Sequence, residues 1–336
     1  MEITYGIISD IHEADPRLVV AAFAVLKNLG AQKLILNGDL IGDRFPQLNA
    51  QEYATIVLQA AAKTGLEVFA QGGSHEEITS FEPVLKAASS HFGNLHDVSD
   101  SPKVEADDHH LIFLPGSDWS PVNPAHGLYL LSRSEKDKTG FYETETGPIR
   151  LTNLNDVLKY TTQPEKTIVV CHVPRRFDSI KTGVDMAYFA EKADKSIMPG
   201  VVLETMICRQ LHRTRETISQ EEFQRIAVQN GYTFKRENRG NIDLRDVYQE
   251  AGITKTVSGH FHESAHRAHD EMGKPIPEGK FENELHWMAS YLDERKVGLL
   301  NVRDGAVAYR NVDLRNYLYK GFSSNKNSIE AFQKKN

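Results

Sequence analysis

Residues 3–12 read ITYGIISDIH, a short run of apolar and β-forming residues that ends in the polar pair Asp10 and His12. Asp15 and Pro16 follow as a helix N-cap and a first-turn proline, and apolar residues then recur at helical spacing. This stretch predicts a strand, a loop that carries two polar side chains, and a helix.

A similar order repeats along the chain that follows. A strand predicted at 33–37 ends at Asp39, a helix is predicted at about 49–64, and a strand predicted at 66–70 ends in the sequence GGSHE at 72–76. Such a β-α-β-α-β run predicts parallel strands joined by right-handed crossovers. Because functional groups in open α/β sheets collect beyond the carboxyl ends of the strands, we expect these polar residues to lie close together.

Later apolar runs predict further strands at 111–114, 167–171, 253–258, 286–291, 297–302 and 306–312. His172 follows the second of these runs, and His260 and His262 follow the third. The segment between them, about 175–252, is predicted to be a helical insertion. The segment 117–163 is predicted to be mostly loop, with one short helix near its end.

Composition limits the domain organisation and the partners. The 336 residues, 40% of them hydrophobic, suit one large α/β domain over 1–320 with a polar, loosely ordered tail over 321–336. A net charge of −7 provides no global basic field for nucleic acid or an anionic membrane. The sequence shows no membrane-spanning run and no signal peptide, so we expect a cytoplasmic protein. Cys171 and Cys208 are too few for a disulfide framework.

The polar motifs contain the residue types that hold two divalent cations. Two cations roughly 3.5 to 4 Å apart need a bridging anionic oxygen and a shell of imidazole and carboxylate ligands. Asp10 and His12 can reach one cation together, and Asp39 suits the bridge. Three histidines can fill the remaining positions: His172, His260 and His262. This number of ligands fits two metals and exceeds what one metal needs.

In their order, these motifs resemble those of the calcineurin-like metallophosphoesterase superfamily, which run DxH, GDxx(x)D, GNH(D/E), a GHxP type and GHxH. This chain has Asp10-Ile11-His12, Gly38-Asp39-Leu40-Ile41-Gly42-Asp43, Gly73-Ser74-His75-Glu76, His172-Val173-Pro174 and Gly259-His260-Phe261-His262. The resemblance spans about Ile3 to Val312. It implies an α/β fold, a four-layer sandwich of two mixed β-sheets flanked by helices, with a dinuclear metal site at one sheet edge.

The resemblance also implies a role for each residue. The first metal would be held by Asp10, His12 and His262. The second metal would be held by His172 and His260. Asp39 would bridge the two metals, and His75 would contact the phosphate or protonate the leaving group.

One position departs from the family's pattern. The asparagine that ligates the second metal is replaced by Ser74, whose hydroxyl is shorter and a weak ligand when neutral. The second metal would then be held more loosely, through water or by another residue. By the same resemblance, Asp43 is a candidate to orient His75 through a hydrogen bond. Arg175 and Arg176 could reach a substrate phosphate, with a plain surface salt bridge as the alternative.

Each motif alone has an ordinary structural explanation. A single Asp-x-His is usually a cap or a surface pair, Gly-Asp is a turn, and Gly-Gly-Ser-His is a flexible loop. The occurrence of all five in the required order favours a metal site instead. Four other histidines are interpreted as solvated surface groups: His109, His110, His266 and His269.

The sequence therefore predicts a metal-dependent phosphoesterase in which a metal-bridging hydroxide attacks a phosphate mono- or diester. Mn²⁺, Fe, Zn²⁺ or Ni²⁺ would suit the mixed nitrogen and oxygen ligands. A nuclease is one alternative, for which the stretch YTFKR at 232–236 is the only hint of a stacking, basic groove. A binding or regulatory module without turnover is the other alternative, and it rests on Ser74 alone.

Overall fold

Two six-stranded mixed sheets form the centre of the computed structural model, which describes residues 2–12, 14–41, 48–118, 129–134, 139–145 and 147–321. The strands are β1 (Glu2–Ile8), β2 (Lys33–Asn37), β3 (Glu67–Gln71), β4 (Leu95–Asp97), β5 (Lys103–Glu105), β6 (His110–Leu114), β7 (Tyr129–Ser132), β8 (Gly140–Thr144), β9 (Gly147–Asn153), β10 (Thr167–Cys171), β11 (Met186–Lys192), β12 (Ile197–Pro199), β13 (Tyr232–Asn238), β14 (Lys255–Ser258), β15 (Ala268–His269), β16 (Leu285–Met288), β17 (Lys296–Arg303) and β18 (Ala306–Asp313). The helices are α1 (Pro16–Asn28), α2 (Ala50–Ala62), α3 (Ile78–His91), α4 (Asp156–Tyr160), α5 (Gly200–Leu211), α6 (Gln220–Gln229), α7 (Ile242–Ala251) and α8 (Arg315–Gly321).

The first sheet has the strand order β18-β17-β1-β2-β3-β4, and the second has the order β15-β16-β14-β10-β6-β5. In the first sheet β1 to β4 are parallel, as the β-α-β-α-β run predicts, while β17 and β18 are antiparallel additions. In the second sheet β6, β10, β14 and β16 are parallel, with antiparallel strands at both edges. Both sheets are therefore mixed, and the predicted fold class is confirmed.

Apolar side chains divide the molecule into four layers. A buried cluster between the two sheets takes residues from both, among them Tyr5, Ile35, Phe113, Val170 and Trp287. A second cluster packs α1, α2 and α3 on the outer face of the first sheet. A third packs α4 and α7 on the outer face of the second sheet. Because each sheet is covered on both faces, its central strands are almost wholly apolar, which explains why they are recognisable in the sequence.

Helix α1 shows how local sequence sets the outer layer. The side chain of Asp15 accepts a hydrogen bond from the backbone N–H of Arg17, and Pro16 occupies the first turn. The helix buries one face of regularly spaced apolar residues: Val19, Ala22, Phe23 and Leu26. Capping and periodicity thus agree, and the helix begins where the sequence predicts.

The segment 175–252 contains the expected helices α5, α6 and α7, but it also contains strands. β12, β11 and β13 form an antiparallel three-stranded sheet that the sequence does not reveal. Its helices α5 and α6 close a small core with residues that include Leu203, Ile207, Phe223 and Ile226. The strands were not predicted because β13 reads YTFKREN, in which only the first three residues alternate between apolar and polar, and because its partner β11 lies about 40 residues earlier in the chain.

Two further expectations from the sequence are wrong. The segment 117–163 contains a second three-stranded sheet, β7-β9-β8, in addition to its predicted short helix α4. His109 and His269 are buried rather than solvated, because His109 bonds Tyr5 and Asp108, and His269 accepts the backbone N–H of Val184. The predicted tail lies outside the described residues apart from position 321. None of the described helices has the length and apolar character that a membrane span requires.

Candidate metal centre

Loops that follow β1, β2, β3, β10 and β14 bring the predicted ligands together. Among the described residues, three groups of side chains have ligand atoms that all lie within 4.8 Å of one another: Asp10, His12 and His262; His12, Asp39 and His75; Asp39, His172 and His260. The first and third groups correspond to the two ligand sets that the sequence predicts. Asp39 and His12 each belong to two groups, so the three groups form one continuous cluster.

In the first group, nitrogen and oxygen atoms converge. Nε2 of His262 lies 3.1 Å from Oδ1 of Asp10, and Nε2 of His12 lies 3.1 Å from Nε2 of His262. Two imidazole nitrogens that lie this close to each other, with a carboxylate oxygen beside them, can share a proton or bind one cation between them. The ring of Tyr291 stacks on that of His262 at 4.0 Å and an angle of 14°, which limits the rotation of this ligand.

In the third group, His172 is oriented by the strand beside it. Its Nδ1 lies 2.9 Å from the carbonyl oxygen of Asn37, to which it donates, and its Nε2 lies 3.0 Å from Oδ2 of Asp39. A backbone carbonyl on one ring nitrogen directs the other nitrogen towards a metal, as in many metal-binding histidines. His260 lies beside it, with the two ring centroids 5.2 Å apart.

Burial and neighbouring charges give most of these groups the protonation state that metal binding requires, which is a neutral imidazole or an ionised carboxylate. Burial lowers the pKa of His12 and of His260 to about 3, so both rings are neutral at pH 7. Burial alone would raise the pKa of Asp39, but His172 outweighs it and holds that pKa well below its usual range. Burial alone would lower the pKa of His172. The nearby carboxylate of Asp39 has the larger effect and raises the pKa of His172. The protonated ring thus balances a carboxylate that a cation could neutralise instead.

Three of the candidate ligands have a left-handed backbone. The φ angles are 55° at Asp10, 52° at Asp39 and 76° at His260. This region is uncommon for residues other than glycine, and such conformations cluster at functional sites. The strained turns aim these residues inward at the point where each strand ends.

Two glycines allow the loops to approach one another. A Cβ atom on Gly259 would lie 2.5 Å from Oδ2 of Asp10 and 2.7 Å from Oγ of Ser9. A Cβ atom on Gly73 would lie 2.5 Å from Oδ1 of Asp39. Any larger side chain at these positions would therefore displace a candidate ligand.

The structure directs Ser74 towards a carboxylate. Its hydroxyl donates to Oδ2 of Asp39 at 2.8 Å and also lies 3.1 Å from Oδ1. The sequence placed Ser74 among the metal ligands, at the family's asparagine position. In the structure, the Ser74 hydroxyl thus binds the carboxylate of the predicted bridging residue.

His75 lies at the edge of the cluster and is partly exposed. Its ring centroid is 4.3 Å from that of His12, at an interplanar angle of 65°. The imidazole of His75 therefore borders the candidate ligand His12. Asp43, the predicted orienting partner, lies outside the described residues.

The two predicted substrate arginines have other partners. Arg175 is only 4% exposed, and its guanidinium binds Glu271 and lies over the ring of Phe177 at 4.3 Å. Arg176 forms an ion pair with Asp178 at 3.3 Å. These contacts correspond to the salt-bridge alternative for both residues, and for Arg175 the bridge is internal.

Glu76 is the main site residue whose role sequence reasoning missed. It is fully buried, and its carboxylate accepts the backbone N–H groups of Asp39, Leu40, Ile41 and Gly73. Burial raises its pKa to about 7, although the amide donors oppose this shift. The signal in the sequence was the position of Glu76 directly after His75 in the third motif. This position places Glu76 near the site but does not reveal its hydrogen-bond partners.

The donor set fits divalent metals. Nε2 of His172 is buried and faces the cluster, with the Asp39 carboxylate 3.0 Å away but without a hydrogen bond of normal geometry among the described residues. Buried nitrogens of this kind call for a cation or an ordered water. Imidazole and carboxylate ligands together suit Mn²⁺, Fe, Zn²⁺ or Ni²⁺.

Comparisons with known proteins reveal similarity in fold. No family model matches the chain, and no curated protein sequence matches it. The solved structure of TT1561 of Thermus thermophilus aligns with a TM-score of 0.51 and 8% identity over 93% of this chain and 99% of its own. A second solved structure aligns with a TM-score of 0.51 and 9% identity, over 92% and 99%. YfcE, a phosphoesterase from E. coli, aligns at 20% identity over 45% of this chain and 79% of its own, with a TM-score of 0.22. The first two similarities show that this arrangement of two sheets and flanking helices recurs in other proteins.

Proposed function

We propose that this chain is a metal-dependent phosphoesterase that hydrolyses phosphate mono- or diesters at a dinuclear site. The observation that carries the proposal is the continuous cluster of three ligand groups at the carboxyl ends of the strands, in which two residues of each group are buried and Asp39 and His12 each belong to two groups. Two bound cations would polarise phosphoryl oxygens and lower the pKa of a water nucleophile towards neutrality.

The residues of the cluster have separate tasks. One cation would be held by Asp10, His12 and His262. The other would be held by His172 and His260. Asp39 would serve both, and the hydroxyl of Ser74 would hold its carboxylate in place. His75, at the open edge, would donate a proton to the departing alkoxide oxygen or contact the phosphate.

The contacts of the insertion favour a small phosphate ester over a nucleic acid. In β13 the ring of Phe234 stacks on Tyr188 at 5.3 Å, and the guanidinium of Arg236 lies over Tyr188 at 4.8 Å. The ammonium group of Lys192 lies over the ring of Tyr232. Phe234 and Tyr232, the aromatic residues that suggested a stacking groove, therefore each have a partner on the ring within the insertion, which leaves less ring surface for stacking with bases.

The test is a hydrolysis assay on protein stripped of metal with a chelator and then supplied with single divalent metals. Aryl phosphate mono- and diesters are assayed beside single-stranded DNA and RNA. We expect metal-dependent turnover of an ester, abolished in Asp39→Asn and His260→Ala and retained in His91→Ala, whose histidine is exposed on α3. Unchanged turnover in either of the first two variants would rule out the dinuclear mechanism. Cleavage of only the nucleic acids would favour the nuclease, and metal binding without any turnover would favour the non-catalytic module.

A further inference from the structure

Two neighbouring loops of the metal centre bind each other through their carboxylates. The Asp39 loop comprises residues 38–41 after β2, and the Ser74 loop comprises residues 72–76 after β3. Each loop carries one buried carboxylate, Asp39 in the first and Glu76 in the second. Each carboxylate accepts backbone N–H groups of the other loop, so the connection between the loops is reciprocal.

The carboxylate of Glu76 binds three successive backbone amides of the Asp39 loop. Its Oε2 accepts from Asp39 N at 3.0 Å, and its Oε1 accepts from Leu40 N at 2.5 Å and from Ile41 N at 3.1 Å. Its Oε2 also accepts from Gly73 N in its own loop at 2.5 Å. Three successive amides that face one carboxylate form an anion-binding nest, and the left-handed backbone of Asp39 belongs to it. Without Glu76 these buried N–H groups would lose their acceptor.

The carboxylate of Asp39 in turn binds backbone amides of the Ser74 loop. Its Oδ1 accepts from Ser74 N at 2.6 Å and from His75 N at 2.9 Å. Its Oδ2 faces the histidines, at 3.0 Å from Nε2 of His172 and 3.6 Å from Nε2 of His12. The backbone amides of the second loop thereby bind Oδ1, while Oδ2, which also accepts the Ser74 hydroxyl at 2.8 Å, faces the histidine ligands.

We propose that Glu76 is a positioning residue that fixes the Asp39 loop, so that Oδ2 of Asp39 faces His12 and His172. This inference rests on the proposed metal centre. Glu76 reaches no ligand atom of a histidine in any described contact, and it acts through the backbone of Asp39. Substitution at Glu76 removes no proposed metal ligand, so weaker metal binding together with faster exchange of the amides of the Asp39 loop would indicate that Glu76 acts by holding this loop.

The test compares Glu76→Gln with Glu204→Gln. Glutamine would turn its NH₂ group towards backbone N–H groups that need an acceptor. Glu204 is a matched control, because it is also a buried glutamate with hydrogen bonds, to Tyr188 and Arg215, but it lies in the insertion. Metal-stripped proteins are titrated calorimetrically with Mn²⁺, and amide hydrogen exchange is followed in the same metal-free samples.

In Glu76→Gln we expect the amides of Asp39, Leu40 and Ile41 to exchange faster and Mn²⁺ to bind about 10- to 100-fold more weakly, as for other residues that support metal ligands. Glu204→Gln should keep the Mn²⁺ affinity of the wild type even if its melting temperature falls. If Glu76→Gln does not fold, Glu76→Asp retains the charge on a shorter stem and should show a smaller loss of the same kind.

Other outcomes separate this inference from the proposed function. Unchanged hydrogen exchange of these three amides in Glu76→Gln would refute the proposal that Glu76 fixes the Asp39 loop. Faster exchange with unchanged Mn²⁺ affinity would show that Glu76 stabilises the loop without positioning a ligand, and would also overturn the inference. Failure of the wild-type protein to bind any divalent metal would refute the proposed function itself, while the exchange data would still show whether Glu76 holds the loop.

Discussion

Replacing Gly259 with alanine should weaken metal binding by Asp10, His12 and His262. The new Cβ atom would lie 2.5 Å from Oδ2 of Asp10, whereas ordinary contacts begin at 3.4 Å. The carboxylate or the loop must therefore move by about 0.9 Å. Because the nearest atoms belong to side chains and the φ of Gly259 is not positive, the backbone itself does not forbid alanine.

The size of the effect follows from the tolerance of metal coordination. Ligand distances at metal sites stay within about 0.2 Å of their preferred values, so a displacement several times larger breaks the coordination by Asp10. Asp10 is also held by Oγ of Ser9 at 2.6 Å and by the N–H of His260 at 3.0 Å, and these bonds resist a compensating shift. We expect about a 10- to 100-fold loss of metal affinity and about 1 to 3 kcal/mol lower folding stability from overpacking.

Calorimetric titration of metal-stripped protein would measure the first quantity, and urea unfolding of the same samples would measure the second. Gly93→Ala is the matched control, because a Cβ atom there meets nothing within 4 Å and its φ is not positive. The control should bind metal as the wild type does. Wild-type metal affinity in Gly259→Ala would refute the placement of Asp10 at the metal centre.

Three other predictions concern separate features. His75→Asn should slow hydrolysis of esters with poor alkoxide leaving groups about 100- to 10,000-fold more than that of activated aryl esters; equal losses would assign His75 to phosphate positioning. Burial lowers the pKa of His286 to about 4, although Glu271 opposes the shift, so the stability from its neutral ring is present above pH 6.5 and is lost as the pH falls towards 4. An NMR titration of this ring with a midpoint near 6.5 would contradict that reasoning. Trp287→Ala should lower the free energy of unfolding by about 3 to 5 kcal/mol, because this fully buried ring packs between the sheets, and a loss below about 1 kcal/mol in urea unfolding would show that the core refills the space.

Local signals made the first three strands and the helices between them predictable. Strands β1, β2 and β3 are short apolar runs, and their helices carry caps and a 3.6-residue periodicity, all of which depend on neighbours in sequence. The polar residues that follow each strand were recognisable for the same reason. Parallel strands bring their carboxyl ends to one edge, so the meeting of Asp10 and Asp39 followed from topology.

Other features depend on contacts between distant parts of the chain. The pairing of β11 with β13 joins segments separated by two helices, and the burial of His109 depends on Tyr5 at the start of the chain. Sequence patterns report a residue's own propensity and spacing, and they carry no signal for such partners. For this reason strands in the insertion and buried histidines were missed.

At the metal centre, the sequence by itself determined which residue types follow each strand and in what order. Only the tertiary structure decided that the Ser74 hydroxyl binds Asp39, that Arg175 is held by Glu271, and that Glu76 accepts the amides of the Asp39 loop. The physical reason is that hydrogen bonds form over about 3 Å, so a side chain's partner depends on how separate loops pack. Residue identity limits what a side chain can bind, and packing selects the partner.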